Sequence, residues 1–317
     1  MGERGSRLPA LQRQETGPPA QRERHATPAA SRATVAFDLG RDRGRRRARC
    51  LDGLPAATKR SPHRVSGPES PDSRAQRGCR WTVERLRGPV SELLDSAEPP
   101  AAATRVARIH TVTGAGLVLG STQSLETAAQ IRATAAGTEI LRRRSGGGAV
   151  LLLPGGQVWV DFFVPASDPL WSEDVAHAAQ WVGELWSAVV EPFVAEPISV
   201  HSGRLVADRW GRLVCFAGSG PGEVFAGGRK IVGVSQRRTR SRVRIQTTAR
   251  LGHPDTASSI RADDRSLDEL ELLDVTAADR ETGRAVMARR CGSVPATEAD
   301  LTEALLGALE AQARDTR

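Results

Sequence analysis

Two stretches of the 317-residue chain bring together side chains that can do chemistry. The first is Arg142-Arg143-Arg144-Ser145-Gly146-Gly147-Gly148-Ala149-Val150. Three successive glycines remove every β-carbon, so the backbone can approach a ligand closely and aim N–H groups at an anion or a carbonyl oxygen. Guanidinium groups just upstream can clamp a phosphate or carboxylate through paired hydrogen bonds. The same letters also describe a plain hairpin loop beside a solvated charge run. The second stretch is Gly227-Gly228-Arg229-Lys230-Ile231-Val232-Gly233-Val234-Ser235-Gln236-Arg237-Arg238. A lysine entering an apolar strand needs a negative partner, because an unpaired buried ammonium is expensive. An adenylate, a carboxylate or a thioester oxyanion would serve, since a positive charge stabilises most where negative charge develops. The alternative is a lysine that snorkels to the surface.

Composition adds weight to that lysine. The chain has no Tyr, no Asn, and only Lys59 and Lys230 among its 45 basic residues. Under a bias toward Arg, Ala, Gly and Pro, a lysine that persists points to a site that takes a compact ammonium and not a planar fork. Cys215, between Val214 and Phe216, is either a nucleophile or a small buried hydrophobe. The cysteines at 50, 79, 215 and 291 form no CxxC pair, and the six histidines show no ligand spacing. Neither a zinc site nor a disulfide framework is expected, and no metal ligand is assigned. Gly218-Ser219-Gly220-Pro221-Gly222 lacks the Lys-Ser/Thr of a phosphate loop and reads as a turn.

The elements that must position these residues alternate between strand and helix. Gly116 to Gly120 reads as a buried strand, and Ser124 as the cap of a helix from Leu125 to about Ala135. A strand from Thr138 to Arg144 enters the glycine loop. Strands at Ala149 to Leu153 and Gln157 to Pro165 flank Pro154-Gly155-Gly156 as a hairpin. Ser172 caps a long helix with Val175, Ala179, Val182, Leu185 or Trp186, and Val189 on its apolar face. Further strands run through Val214 and Ile231, with Ala226-Gly227-Gly228 as a turn. Leu267 to Leu273 reads as helical, and Thr297 and Asp300 cap a last helix with Leu301, Leu305 and Leu309 on one face. Trp159, Trp171, Trp181 and Trp186 are assigned to the core. The alternating Arg237, Arg238, Arg240, Arg242 and Arg244 form either a docking stripe or a solvated face. The fold class is α/β (α+β), a mixed β-sheet flanked by helices with a small helical C-terminal appendage.

Charge divides the chain. Residues 1–80 hold 18 Lys+Arg against 8 Asp+Glu, and residues 81–317 hold 27 against 29. The basicity therefore lies in an Arg/Pro/Ala-rich extension expected to be disordered, and nucleic-acid binding is not expected of the rest. A catalytic domain over 81–250 and a helical appendage over 251–317 complete the division. No apolar run reaches the roughly 18 residues of a membrane helix. With no secretory segment read at the N-terminus, a cytoplasmic location away from membranes is expected.

The two motifs, in order and about eighty residues apart, resemble the catalytic domain of the biotin/lipoate protein ligase family, in particular lipoate-protein ligases and the related octanoyltransferases. The resemblance runs from about Leu117 to Arg250. It implies an α/β fold around a mixed sheet and acyl transfer to a lysine of a carrier domain. By that resemblance Arg143, Arg144, Ser145, Gly146, Gly147, Gly148 and Ala149 cradle the acyl group or its adenylate, with Gly233 beside them. Lys230 holds the oxygens of the activated acyl group. The leading expectation is a ligase that activates lipoate or octanoate with ATP and Mg2+. Its acceptor would be a lipoyl-type carrier domain of 2-oxoacid dehydrogenase or glycine cleavage proteins. Two departures open other readings. Ligases carry His-Asp where this chain has Leu152 and Leu153, and Asn-Asp where it has Gly222 and Glu223. Cys215-Phe216 followed by Glu223 is similar to one octanoyltransferase class, in which that cysteine accepts the acyl group from acyl carrier protein. A thiolate near Lys230 would be the more reactive nucleophile. A non-catalytic acyl-binding module is the third reading.

Overall fold

The structure, a computed structural model, describes residues 32–33, 80–99, 104–252 and 264–315. The extension expected over residues 1–80 therefore lies outside the described residues, except Arg32, Ala33 and Arg80. Among the described residues eleven strands form two sheets: β1 (Arg32–Ala33), β2 (Trp81–Gly88), β3 (Arg105–Val112), β4 (Gly116–Leu119), β5 (Glu139–Arg142) and β6 (Val150–Leu152) in the first half. β7 (Gln157–Pro165), β8 (Ile198–Val200), β9 (Val224–Ala226), β10 (Arg229–Arg238) and β11 (Arg242–Arg250) follow. The large sheet has the order β1-β2-β3-β7-β11-β10-β9-β8, and the small one β5-β4-β6. Among the described strands only β2 with β3 and β4 with β5 pair in parallel, so the sheets are mixed, as expected.

The helices are α1 (Val90–Leu94), α2 (Gln130–Ala135), α3 (Val175–Val190), α4 (Arg209–Leu213), α5 (Asp264–Glu271), α6 (Ala277–Arg290) and α7 (Glu298–Asp315). One face of the large sheet carries Val158, Val160 and Phe162 of β7 with Val243 and Ile245 of β11. Val182, Trp186 and Val189 of α3 and Leu301, Leu305 and Leu309 of α7 close that core. Successive strand residues point to opposite faces, so Trp159, Asp161, Arg244, Gln246 and Thr248 face the small sheet. There Leu117 to Leu119 and Leu151 pack with Phe216, Leu270 of α5 and Met287 of α6 in a second core. Polar residues at period 2 inside strands that are otherwise Val, Ile and Phe mark the face where the two sheets enclose the site.

Several elements differ from the sequence expectation for tertiary reasons. The helix expected over Leu125 to Ala135 is broken into a 3-10 turn, Leu125–Thr127, and α2. Ala128 bridges Leu273 and the Ala129 N–H donates to the Leu272 carbonyl, which takes the backbone out of the helix. The strands around Pro154-Gly155-Gly156 exist but form no hairpin: β6 pairs with β4, and both edges of β7 are taken by β3 and β11. The Gln157 amide closes that turn through both Leu153 backbone groups. Asp174, not Ser172, caps α3, and Val175 at its start is 52% exposed. Val214 lies in no strand; the chain there is helical, α4 followed by a 3-10 turn at Cys215–Ala217. α6 was not anticipated. The last helix is capped by Thr297 and Asp300 as expected.

The C-terminal helices are built into both cores. Glu269 of α5 is fully buried, pairs with Arg250 and accepts the Leu151 N–H at 2.5 Å. No described helix is long and apolar enough to cross a membrane.

Candidate active site

The glycine loop links β5 to β6, and its shape is held from behind. Arg143, nearly fully buried, donates to the carbonyls of Val118, Gly146 and Gly148 at 3.1, 2.7 and 2.9 Å. Its guanidinium therefore organises the loop, whereas Arg144 is exposed at the rim. Gly147 has φ of 99°, a left-handed value that favours glycine. A β-carbon on Gly120 would lie 1.8 Å from the Gly147 carbonyl oxygen, so two glycines are needed for one crossing. The N–H groups of Gly146, Gly147 and Gly148 make no hydrogen bond among the described residues. Ser145 is buried and bonds Ser235 and Gln246, each at 3.1 Å, tying the loop to β10 and β11.

The loop's far end is stitched to the cysteine. The Ala149 N–H donates to Leu213 and the Cys215 N–H to Ala149, each at 2.8 Å. A β-carbon on Gly148 would come within 2.7 to 2.9 Å of the Leu213–Cys215 backbone, so this contact admits only glycine. The Cys215 Sγ lies 3.8 Å from the β-carbon position of Gly147 and 4.0 Å from that of Gly233. The thiol is thus brought beside both expected glycine elements.

Lys230 is 1% exposed. Its ammonium donates to the Glu223 Oε2 at 2.7 Å and to the Cys215 carbonyl at 2.6 Å, 5.4 Å from the Phe216 ring centre. Arg250 stacks on the same ring at 3.8 Å. Burial pushes the Glu223 carboxyl up from its ordinary range, and the Lys230 ammonium opposes that shift. Glu223 also accepts the Gly220 N–H at 2.6 Å. The sequence shows Glu223 as a departure from an Asn-Asp pair and as the acid that follows Cys215-Phe216; the structure makes it the negative partner that a buried lysine requires.

Between the sheets a narrow tunnel with a volume of about 40 Å³ runs over the thiol. Leu94, Val118, Val150, Leu152, Trp159 and Phe216 supply its apolar wall, and Gly233, Ser235, Gln246 and Thr248 line its side on β10 and β11. Leu94, Arg143 and Gln246 also line a wider outer cleft of about 410 Å³, where Arg142, Arg144, Arg237 and Arg244 face Asp95 and Glu98. The 95–99 wall of that cleft is pinned by Arg108 on the Ala97 carbonyl and Arg242 on the Pro99 carbonyl, at 2.8 and 2.6 Å. The expected arginine stripe is therefore divided. Arg242 is buried, Arg244 pairs with Asp161 at 2.6 Å, and Arg238 stacks on Trp171. Leu94, Trp159, Ser235 and Gln246 were not singled out as site residues. For Ser235 and Gln246 the signal was a polar residue at alternate positions of an apolar strand. Among the described residues no three His, Cys, Asp or Glu side chains are grouped to hold a metal ion.

A mixed sheet bearing a lysine strand, faced by a smaller sheet that carries a glycine loop, defines the catalytic fold shared by lipoate and biotin protein ligases. The profile of the lipoyl protein ligase A/B catalytic domain matches residues 92–252, and the chain belongs to that family. The fold is similar to that of a bipartite lipoate protein ligase of Thermoplasma acidophilum, described with its E2 lipoyl domain. That match has a TM-score of 0.50 at 13% identity and covers 74% of this chain and 90% of that one. A lipoate-protein ligase A bound with ATP matches at TM-score 0.44 and 15% identity, over 67% of this chain and 81% of that one. A biotin protein ligase of Aquifex aeolicus with biotin and ATP matches at 0.34 and 9%, over 74% and 69%. No curated protein sequence matches significantly.

Proposed function

We propose that this protein transfers a medium-chain acyl group, octanoyl or lipoyl, from a carrier thioester to the lysine of a lipoyl-type carrier domain through a thioester on Cys215. One observation carries the reading: the Cys215 thiol borders the apolar tunnel beside the glycine loop, whereas the Lys230 ammonium is buried and already paired with Glu223. This reverses the order expected from sequence, in which ATP-dependent ligation came first.

In the first step the Cys215 sulfur attacks the donor carbonyl carbon. A C–S bond forms at Sγ, the donor C–S bond breaks, and the proton released by Cys215 leaves on the departing thiol. The Gly147 backbone lies beside the thiol, and the N–H groups of Gly146 to Gly148 make no hydrogen bond among the described residues, so in this scheme they are the donors available to the oxyanion that develops. In the second step the neutral amine of the acceptor lysine attacks the thioester. An amide forms, Cys215 leaves, and the proton lost by nitrogen returns the thiol. Lys230 acts in this scheme by fixing the Cys215 carbonyl and hence the turn that carries the thiol.

The outer cleft favours a second reading. Arg142, Arg144 and Arg237 around about 410 Å³, continuous with the tunnel, form a cationic space that would hold ATP phosphates in a ligase. Octanoyl-carrier protein without ATP, and free octanoate or lipoate with ATP and Mg2+, are each incubated with the full chain and a lipoyl-type acceptor. Acylation of the acceptor in the first arm alone supports transfer through Cys215. Acylation in the second arm alone establishes the ligase, and none in either leaves an acyl-binding module.

A further inference from the structure

The tunnel has a definable depth, because the strand register stacks its lining in rows. Arg237 of β10 pairs with Arg244 of β11 at the outer cleft. One pair further in come Ser235 and Gln246, and then Gly233 and Thr248, with Thr248 opposite Trp159 on β7. Beyond that third row the same face is filled. Arg250, opposite Gln157, is buried against the Phe216 ring and Glu269. Trp159 thus stands in the innermost row that lines the tunnel.

Its indole is held from two sides. Nε1 donates to Asp161 Oδ1 at 3.1 Å, and the ring stacks on His110 with centroids 4.2 Å apart and planes 28° apart. His110 is itself fixed by Asp161 Oδ2 at 2.9 Å, and Arg244 binds the same carboxylate from the outer cleft. A ring bonded at its edge and stacked on its face has no free rotamer to vacate the tunnel. The other walls there are aliphatic, Val118, Val150 and Leu152, and none of these side chains has a polar bond to hold it.

We propose that Trp159, locked by Asp161 and His110, is the stop at the inner end of the tunnel that limits how long an acyl chain can enter. The assignment rests on the acyl-transfer reading for its substrate, and on the strand register alone for its position. Removing the indole should lengthen the tunnel, while a larger side chain at Thr248 in the same row should shorten it.

The test compares the full chain with Trp159→Ala, Trp159→Leu and Thr248→Leu, using octanoyl-, decanoyl- and dodecanoyl-carrier thioesters. Binding of the free C8, C10 and C12 acids is measured in parallel by calorimetry, and near-UV circular dichroism checks folding. The dodecanoyl-to-octanoyl ratio of kcat/KM, and the matching affinity ratio, should rise at least tenfold in the tryptophan variants and fall in Thr248→Leu. Unchanged ratios in a folded Trp159 variant, or in Thr248→Leu should both tryptophan variants misfold, overturn the stop. If the parent chain transfers nothing, the acyl-transfer reading fails, and the acid affinities still decide the position of the stop.

Discussion

The Lys230 ammonium and the Glu223 carboxylate lie 2.7 Å apart, both almost completely buried. Lys230 is the only lysine of residues 81–317 and sits one turn of hairpin away from its partner. The pair joins β10 to the turn that follows Cys215, because the same ammonium donates to the Cys215 carbonyl. The ammonium that the family resemblance assigns to the activated acyl group thus braces the segment that carries the thiol.

Removing either member should leave an uncompensated buried charge. Glu223→Ala is expected to destabilise the fold by about 3–5 kcal/mol, against a much smaller loss for the double change Glu223→Ala with Lys230→Met. Urea denaturation of the two single variants and the double variant checks this, and strict additivity would mean the pair is not coupled. Lys230→Arg should cost about 1–3 kcal/mol because the closed pocket has no room for the fork.

The glycine loop and Cys215 are one mechanical unit. Gly148→Ala places a β-carbon within 2.7 to 2.9 Å of the Leu213–Cys215 backbone, so the turn must shift. Acyl transfer should fall at least a hundredfold, whereas Gly155→Ala, whose β-carbon meets nothing within 4 Å, should keep full activity at a modest stability cost from its φ of 65°. Steady-state rates and thermal unfolding of the two variants separate the effects.

Asp161 makes stability depend on pH in a definite direction. Burial alone would raise its carboxyl, but the His110 ring and the Arg244 guanidinium hold it well below the carboxylate range. A depressed folded-state value contributes stability that is present above the unfolded value of about 4 and is lost as pH falls below it. Asp161→Asn should therefore lower stability at pH 7 and flatten its decline between pH 4 and pH 2. Denaturation midpoints across that range, for both proteins, read the difference.

Truncation at Gly252 should prevent folding and not merely remove an appendage. It would strip Leu301, Leu305 and Leu309 from one core and Leu270 and Met287 from the other. It would also leave the Leu151 N–H and Arg250 without Glu269. Expression of residues 1–252 as a soluble, cooperatively unfolding protein would contradict this.

The local features were legible from sequence because local residues determine them. The triple glycine, the Gly227-Gly228 turn, with φ of 55° and 78°, and the leucine face of α7 all lie where their patterns placed them. What escaped was set by contacts distant in the chain. Ala128 leaves its helix because Leu273, 145 positions later, pairs with it. β6 and β7 part because each finds better edges elsewhere. Arg143 reads as a ligand clamp until the carbonyls of Val118, Gly146 and Gly148 are seen around it. The His110, Asp161 and Arg244 network crosses three strands, β3, β7 and β11, so no single motif contains it.

The central claim is the covalent step at Cys215, and trapping it is the most direct measurement. The full chain is mixed with octanoyl-carrier protein, without ATP and without acceptor, quenched in acid, and its intact mass and peptide map recorded. The account predicts an added octanoyl group on Cys215, released by hydroxylamine, passed to a lipoyl-type domain added later, and absent from Cys215→Ser. An unmodified Cys215 under these conditions, together with acceptor octanoylation that requires ATP and persists in Cys215→Ser, would contradict it.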